Sequence, residues 1–184
     1  MIDTLILSGG GPSGVAFVGL LKALVEYDTF QKENLKHIIT TSVGIICAIL
    51  YLLNYNILQI EKIVLEKDLT MVIDAENIEI DNLLIKFGIS NNNHIGESIS
   101  SFIRHKYNKN DLTLKELYDL TNIILTVKVY NVDLGKTEYM NYKTNPDIKC
   151  TTLSMMTTSI PYLFQPVKYN NNLYVDGGLK GHFP

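Results

Sequence analysis

The stretch Thr4-Leu5-Ile6-Leu7-Ser8-Gly9-Gly10-Gly11-Pro12-Ser13-Gly14 decides the fold. Thr4 to Ser8 is a continuous apolar run without polar alternation, the pattern of a parallel strand covered on both faces. It passes straight into a glycine-rich turn and then into Val15, Val18, Leu21, Leu24 and Val25, which recur at helical spacing, with Asp28 marking the helix end. The same grammar repeats at once. Leu35 to Thr40 reads as a second strand, Thr41-Ser42-Val43-Gly44 as a turn, and Ile45 to about Leu53 as a very apolar helix. Strand, turn and helix twice over predict an α/β fold with a parallel sheet and helices on its faces.

Further out, residues 57–68 predict an amphipathic helix, with Ile57, Ile60, Ile63 and Val64 on one side and Glu61, Lys62, Glu66 and Lys67 on the other. Residues 70–93 show no clear period. Asn91-Asn92-Asn93 marks a loop, and Ile95 to Tyr107 reads as a helix. Thr113-Leu114-Lys115-Glu116 has capping-box spacing and opens a short helix to Leu120. Ile123–Tyr130 and Thr137–Tyr142 predict a hairpin turning at Asp133-Leu134-Gly135, and Ile148–Thr158 a helix stopped by Pro161. A last hairpin, Val167–Tyr169 and Leu173–Val175, turns at Asn170-Asn171-Asn172 and delivers Asp176-Gly177-Gly178.

The 184 residues suit one domain, residues 1–184, with no internal repeat or linker. A net charge of −3, with 16 basic against 19 acidic residues and no block of like charge, argues against nucleic acid as a partner. The two cysteines, Cys47 and Cys150, belong to no metal-ligand cluster and read as buried residues of a reducing compartment. The longest apolar run, Val43 to Leu53, has 11 residues, where a membrane span needs roughly 20. The start, Met1-Ile2-Asp3-Thr4, lacks the pattern of a secretory signal. These features predict a cytoplasmic protein without a transmembrane segment, free to meet a membrane surface with one face.

Three sites carry chemistry. Four glycines in six positions, Gly9 to Gly14, exceed what a tight turn needs. Their backbone N–H groups, with a helix beginning near Ser13, suit a phosphate or the oxyanion of acyl transfer. Thr41-Ser42-Val43-Gly44 places a serine on a sharp strand-to-helix turn, as a nucleophile elbow does, although Thr40 stands where that pattern has its first glycine. A serine capping the next helix is the plainer reading of Ser42. Asp176 is a candidate base for the serine, its paired glycines allowing close approach of another loop.

Two rival readings follow from the same residues. Gly9, Gly11 and Gly14 also satisfy a dinucleotide fingerprint, but that reading wants an acidic residue closing the second strand, and Thr40-Thr41-Ser42 stands there. Ser42, Asp176 and His182 follow the chain order of α/β-hydrolase triads, yet that fold sets its nucleophile after several strands. His37, His94 and His105 read as structural or solvated.

Glycine loop, serine elbow and late Asp-Gly-Gly, in this order, resemble the patatin-like phospholipase family. Leu112 to Tyr118, Ser159 to Val167 and Leu173 to Gly178 resemble further family segments, so the likeness spans about Leu5 to Pro184. It implies a three-layer α/β/α sandwich with a mainly parallel central sheet, and a lipid acyl hydrolase cleaving fatty acyl esters, phospholipids above all. It further implies a Ser42–Asp176 dyad working through an acyl-enzyme, with an oxyanion hole of Gly9, Gly10 and Gly11, no metal and no cofactor, and transient contact with a membrane. Thr40, Ser13 in place of a basic residue, and His182 in place of Asn depart from the family pattern. Any later helix that supports the site is expected to be missing or to belong to a longer product. The alternatives are a nucleotide-binding protein using the glycine loop, and a non-catalytic lipid-binding relative.

Overall fold

The computed structural model describes residues 2–27, 32–66 and 87–184. Asp28, Lys67 and most of the stretch 70–93 left without a clear period lie outside them. The chain runs β1 (Thr4–Leu7), a 3-10 turn (Gly11–Val15), α1 (Ala16–Glu26), β2 (His37–Thr41), α2 (Gly44–Leu52) and α3 (Ile57–Glu66). It continues through β3 (Gly88–Ser90), α4 (Asn93–Tyr107), α5 (Leu114–Thr121), β4 (Ile124–Asn131), β5 (Lys136–Met140) and α6 (Cys150–Thr158). It closes with β6 (Tyr162–Phe164), β7 (Val167–Tyr169), β8 (Asn172–Asp176) and a 3-10 turn (Gly177–Lys180).

A central sheet in the order β1-β2-β4-β8-β7, with β5 on β4, carries helices on both sides. It is parallel across β1, β2 and β4, and antiparallel across β4–β8, β8–β7 and β4–β5. The sheet is therefore mixed and not mainly parallel. The reason is local: both hairpins are closed by short turns, which join only antiparallel strands. Asn170 and Asn171 take φ of 46° and 64° to make the second turn. The pair β3–β6, parallel and separate from the main sheet, was not foreseen.

The core centres on α2, whose nine residues, Gly44 to Leu52, are all buried. It packs against β1, β2, α1, α3, α4 and α6. Each fully buried Leu or Ile contributes about 1.5–3 kcal/mol relative to an exposed one. That makes α2 the most heavily anchored element, and it begins two residues after Ser42. The capping box of α5 forms as expected, Thr113 Oγ1 accepting the Glu116 N–H at 3.0 Å and Glu116 Oε2 accepting the Thr113 N–H at 2.8 Å.

One strand edge brings the two ends of the molecule together. β5 occupies one edge of β4 from Val127 to Asn131. β2 and β8 must then share the other edge in succession. β2 runs parallel to β4 as far as Thr41 opposite Lys128, and β8 comes antiparallel to end with Asp176 opposite Val129. The C-terminal ends of β2 and β8 thus meet head to head, and both chains turn out of the sheet there.

Candidate active site

Ser42 follows β2 in the left-handed region, φ 52°, a conformation that costs a non-glycine residue about 1–3 kcal/mol and persists only where surroundings enforce it. The enforcement is visible on both sides. Ser42 N–H donates to Thr157 Oγ1 at 2.8 Å, and the Ser42 carbonyl accepts Ile45 N–H at 3.1 Å in the first turn of the buried helix. A Cβ on Gly44 would lie 2.5 Å from Thr40 Oγ1 and 2.6 Å from the Leu7 carbonyl oxygen, so no side chain fits there. This explains how Thr40 is accommodated. It is fully buried, its hydroxyl has no hydrogen-bond partner among the described residues, and the space it needs is left by Gly44.

Asp176 ends β8. Its N–H donates to the Ser159 carbonyl at 2.9 Å, and its Oδ1 accepts Gly178 N–H at 2.7 Å. Its Oδ2 accepts the Ser42 hydroxyl at 2.5 Å. Gly177 is required by a close approach, since a Cβ there would sit 2.4 Å from the Lys128 carbonyl oxygen. Ser42 and Asp176 are both 5% exposed. Burial pushes the Asp176 carboxyl above its ordinary value; the Ser42 and Gly178 hydrogen bonds and the nearby His182 and Lys128 pull it back.

The glycine loop reaches the same place, for a Cβ on Gly9 would lie 3.2 Å from Ser42 Cβ. Gly9 N–H is engaged, donating to the His182 carbonyl at 2.8 Å. Among the described residues Gly10 and Gly11 have no such backbone acceptor, and Gly11 adopts φ 53°. The loop leads into a 3-10 turn through Pro12 and Ser13, and the α-helix begins only at Ala16, later than the expected start near Ser13. An apolar cavity opens beside Ser42, lined by Gly11, Val43, Ile46, Ile95, Ile160 and Phe164. A wider polar groove, with Glu97, Arg104 and Asp111 on its walls, does not include Ser42 or Asp176.

The histidines lie outside this pair. His37 Nε2 meets Thr126 Oγ1 at 2.8 Å, His105 Nδ1 meets the Tyr55 hydroxyl at 3.0 Å, and the His94 ring lies 6.1 Å from that of Phe164. The direct Ser42–Asp176 hydrogen bond leaves no place for an imidazole between them, so the triad reading with His182 fails. The dinucleotide reading also loses, since β2 ends at Thr41 with Ser42 next and no acid closing the strand. Cys47 and Cys150 are buried thiols, and burial pushes Cys47 up to about 12. Among the described residues no group of three or more His, Cys, Asp and Glu is placed to hold a metal.

Sequence reasoning missed three supporting residues. Thr157 links Ser42 N–H to the Lys128 carbonyl, its hydroxyl donating to that oxygen at 2.8 Å. Asn92 Nδ2 reaches the Met155 carbonyl at 2.7 Å and the Ser159 hydroxyl at 3.1 Å, holding the end of α6 where Ser159 meets Asp176. Lys128 was the one with a readable signal, being a lone charge inside the apolar run from Ile123 to Tyr130.

Fold and site together define an α/β sandwich that presents a strained, buried serine to an aspartate beside a glycine loop. The chain belongs to the patatin-like phospholipase family, whose family model matches residues 5–184. It is 29% identical over 181 residues to "Probable lipid hydrolase 463L" of Invertebrate iridescent virus 6, covering 98% of this chain and 61% of the relative. It is 30% identical over 183 residues to "Uncharacterized protein R571" of Acanthamoeba polyphaga mimivirus, covering 100% of this chain and 60% of that one. The chain thus spans about three fifths of the length of these curated relatives. Among solved structures, VipD from Legionella pneumophila superposes with a TM-score of 0.71 at 18% identity, over 99% of this chain and 47% of VipD. ExoU from Pseudomonas aeruginosa, solved with SpcU, gives 0.65 at 15% identity, over 87% of this chain and 38% of the other. Both support the α/β sandwich.

Proposed function

We propose that residues 1–184 form one lipid acyl hydrolase domain that cleaves fatty acyl esters, phospholipids foremost, with Ser42 as nucleophile and Asp176 as its base. The observation that carries this reading is the 2.5 Å hydrogen bond from Ser42 Oγ to Asp176 Oδ2, made by a serine in a strained backbone conformation that lines an apolar cavity. As Oγ attacks the ester carbonyl carbon, its proton passes to Asp176 and the carbonyl oxygen becomes an oxyanion facing the glycine loop. The Gly10 and Gly11 amides serve it. Gly9, expected as a third donor, instead holds the loop through His182. Collapse of the intermediate breaks the ester C–O bond, the leaving alcohol takes the proton from Asp176, and the acyl group stays on Ser42. Water, deprotonated by Asp176, then releases the fatty acid and restores the serine.

The membrane contact rests on exposed apolar side chains close in sequence to the site segments. Val15, Ile160, Tyr162, Leu179 and Phe183 are 37–77% exposed, which suits a ligand drawn from a lipid surface. Among the described residues no helix is long and apolar enough to cross a membrane. Fatty-acid release from phosphatidylcholine and phosphatidylglycerol vesicles tests the reading. Wild type is expected to release fatty acid and Ser42→Ala to lose about 10³-fold or more of the rate. Vesicle binding without turnover by the folded wild type would instead favour the non-catalytic relative.

A further inference from the structure

Lys128 lies within β4, next to the residue paired with Asp176, and only 4% of it is exposed. A buried ammonium must have its donors met. Those of Lys128 go to main-chain carbonyls. Nζ donates to the Gly181 oxygen at 2.8 Å and to the Phe183 oxygen at 3.0 Å, with the Lys180 oxygen at 3.5 Å. The remaining carbonyl of this strap, that of His182, accepts Gly9 N–H at 2.8 Å. The strap is therefore pinned by Lys128 and in turn pins the glycine loop. The backbone of the same lysine reaches the other half of the site, since its carbonyl accepts the Thr157 hydroxyl whose oxygen accepts Ser42 N–H.

We propose that Lys128 is the positioning residue of this site: by holding residues 180–183 it fixes Gly9 through the His182 carbonyl, and so sets the Gly10 and Gly11 amides at the distance an oxyanion requires. The inference rests on the reading of Ser42 as nucleophile given above. Oxyanion donors act only when placed about 2.7–3.1 Å from the developing charge, and loss of one costs about 10²–10³-fold in rate. A lysine that sets two of them indirectly should cost somewhat less. Its positive charge, one strand position from the partner of Asp176, also opposes the effect of burial on that carboxyl. Lys128 is the one charged residue of β4.

The test compares wild type, Lys128→Met and Lys128→Arg in two measurements. Amide hydrogen exchange followed at Gly9 reads the strap without any chemistry. Gly9 is expected to be protected in wild type, to exchange about 10-fold or more faster in Lys128→Met, and to recover in Lys128→Arg. Hydrolysis of p-nitrophenyl butyrate reads the consequence. Lys128→Met is expected to lower kcat about 10- to 100-fold with KM changed less than about 3-fold. Its acid limb should move to higher pH as the positive charge beside Asp176 is lost, and Lys128→Arg should restore most of kcat. Unchanged Gly9 protection in Lys128→Met overturns the proposal, as does a fall in kcat that Lys128→Arg does not relieve. A wild type that is inert toward the ester and yet shows the exchange pattern overturns the hydrolase reading and leaves the strap in place. Should Lys128→Met not fold, Lys128→Gln, which keeps a donor without the charge, is expected to give intermediate exchange, and wild-type exchange from it counts against the proposal.

Discussion

The two halves of the site are held by different physics. Ser42 belongs to a parallel, helix-rich half and is held by steric exclusion: a left-handed φ, a helix buried along its whole length, and a glycine at position 44 with no room for a methyl group. Asp176 belongs to an antiparallel, hairpin half and sits in ordinary extended backbone, held by hydrogen bonds to Ser159, Gly178 and Ser42. Steric constraint fails abruptly when violated. Hydrogen-bonded constraint fails by degrees. The serine elbow should therefore tolerate almost no change in shape, whereas the Asp176 side chain, as distinct from Gly177 after it, should respond to a change in charge more than to one in shape.

The sharpest way to break this contrast is Gly44→Ala. Its Cβ would meet Thr40 Oγ1 and the Leu7 carbonyl, the latter being backbone that cannot step aside, so a loss of about 2–4 kcal/mol is expected in chemical denaturation. A variant as stable as wild type would show that the elbow is more pliable than described.

Next in size is Thr157→Val, which removes the acceptor for Ser42 N–H and the donor to Lys128 while keeping the shape. It leaves a buried amide unpaired, at a cost of about 1–3 kcal/mol. Ester hydrolysis should fall more than the loss of stability explains, because the strained φ of Ser42 loses one of its supports.

The Asp176 side responds to pH, and the sign is set by its raised pKa. Only the ionised carboxylate can take the serine proton, so activity should fall, with decreasing pH, above the usual carboxylate range. Stability should run the opposite way. The folded state binds this proton more tightly than the unfolded chain, so the contribution of Asp176 is full below the unfolded pKa and is lost as pH rises through the folded one. Asp176→Asn, permanently uncharged, should be more stable than wild type at neutral pH, and thermal unfolding at a series of pH values should show the gain shrinking in acid. A variant less stable than wild type at neutral pH would mean that the hydrogen bonds outweigh the cost of burying the charge.

The smallest expected effect comes from Thr40→Val. The Thr40 hydroxyl is buried without a partner among the described residues, and an apolar group of the same shape should raise stability by up to about 1 kcal/mol with hydrolysis unchanged. A lower melting temperature would indicate that the hydroxyl does something for the elbow that its geometry does not reveal.

What could be read in the sequence follows the same division. The N-terminal half announced itself because fully covered strands and buried helices leave continuous apolar runs, as at Thr4–Leu7 and Gly44–Leu52. The hairpins were legible through their turn residues, and α5 through its capping box. The parallel pair β3–β6 was not, since three-residue strands carry no period. Ser42, Asp176 and the glycine loop were each visible as local motifs. Their meeting is long-range, arising from two strands sharing one edge of β4, and no local pattern encodes that. The engagement of Gly9 by a carbonyl 173 positions later escaped for the same reason, because a backbone acceptor leaves no trace in residue type.

The most direct test of the central claim is fluorophosphonate labelling with the modified peptide mapped by mass spectrometry, run on wild type beside Asp176→Asn with and without lipid vesicles. The probe mimics the tetrahedral intermediate and reports an activated serine whatever the natural substrate. Labelling at Ser42 that disappears in Asp176→Asn is the result expected of a serine activated by its aspartate. A folded wild type whose Ser42 stays unmodified with lipid present, or an Asp176→Asn variant that labels as fast as wild type, would contradict it.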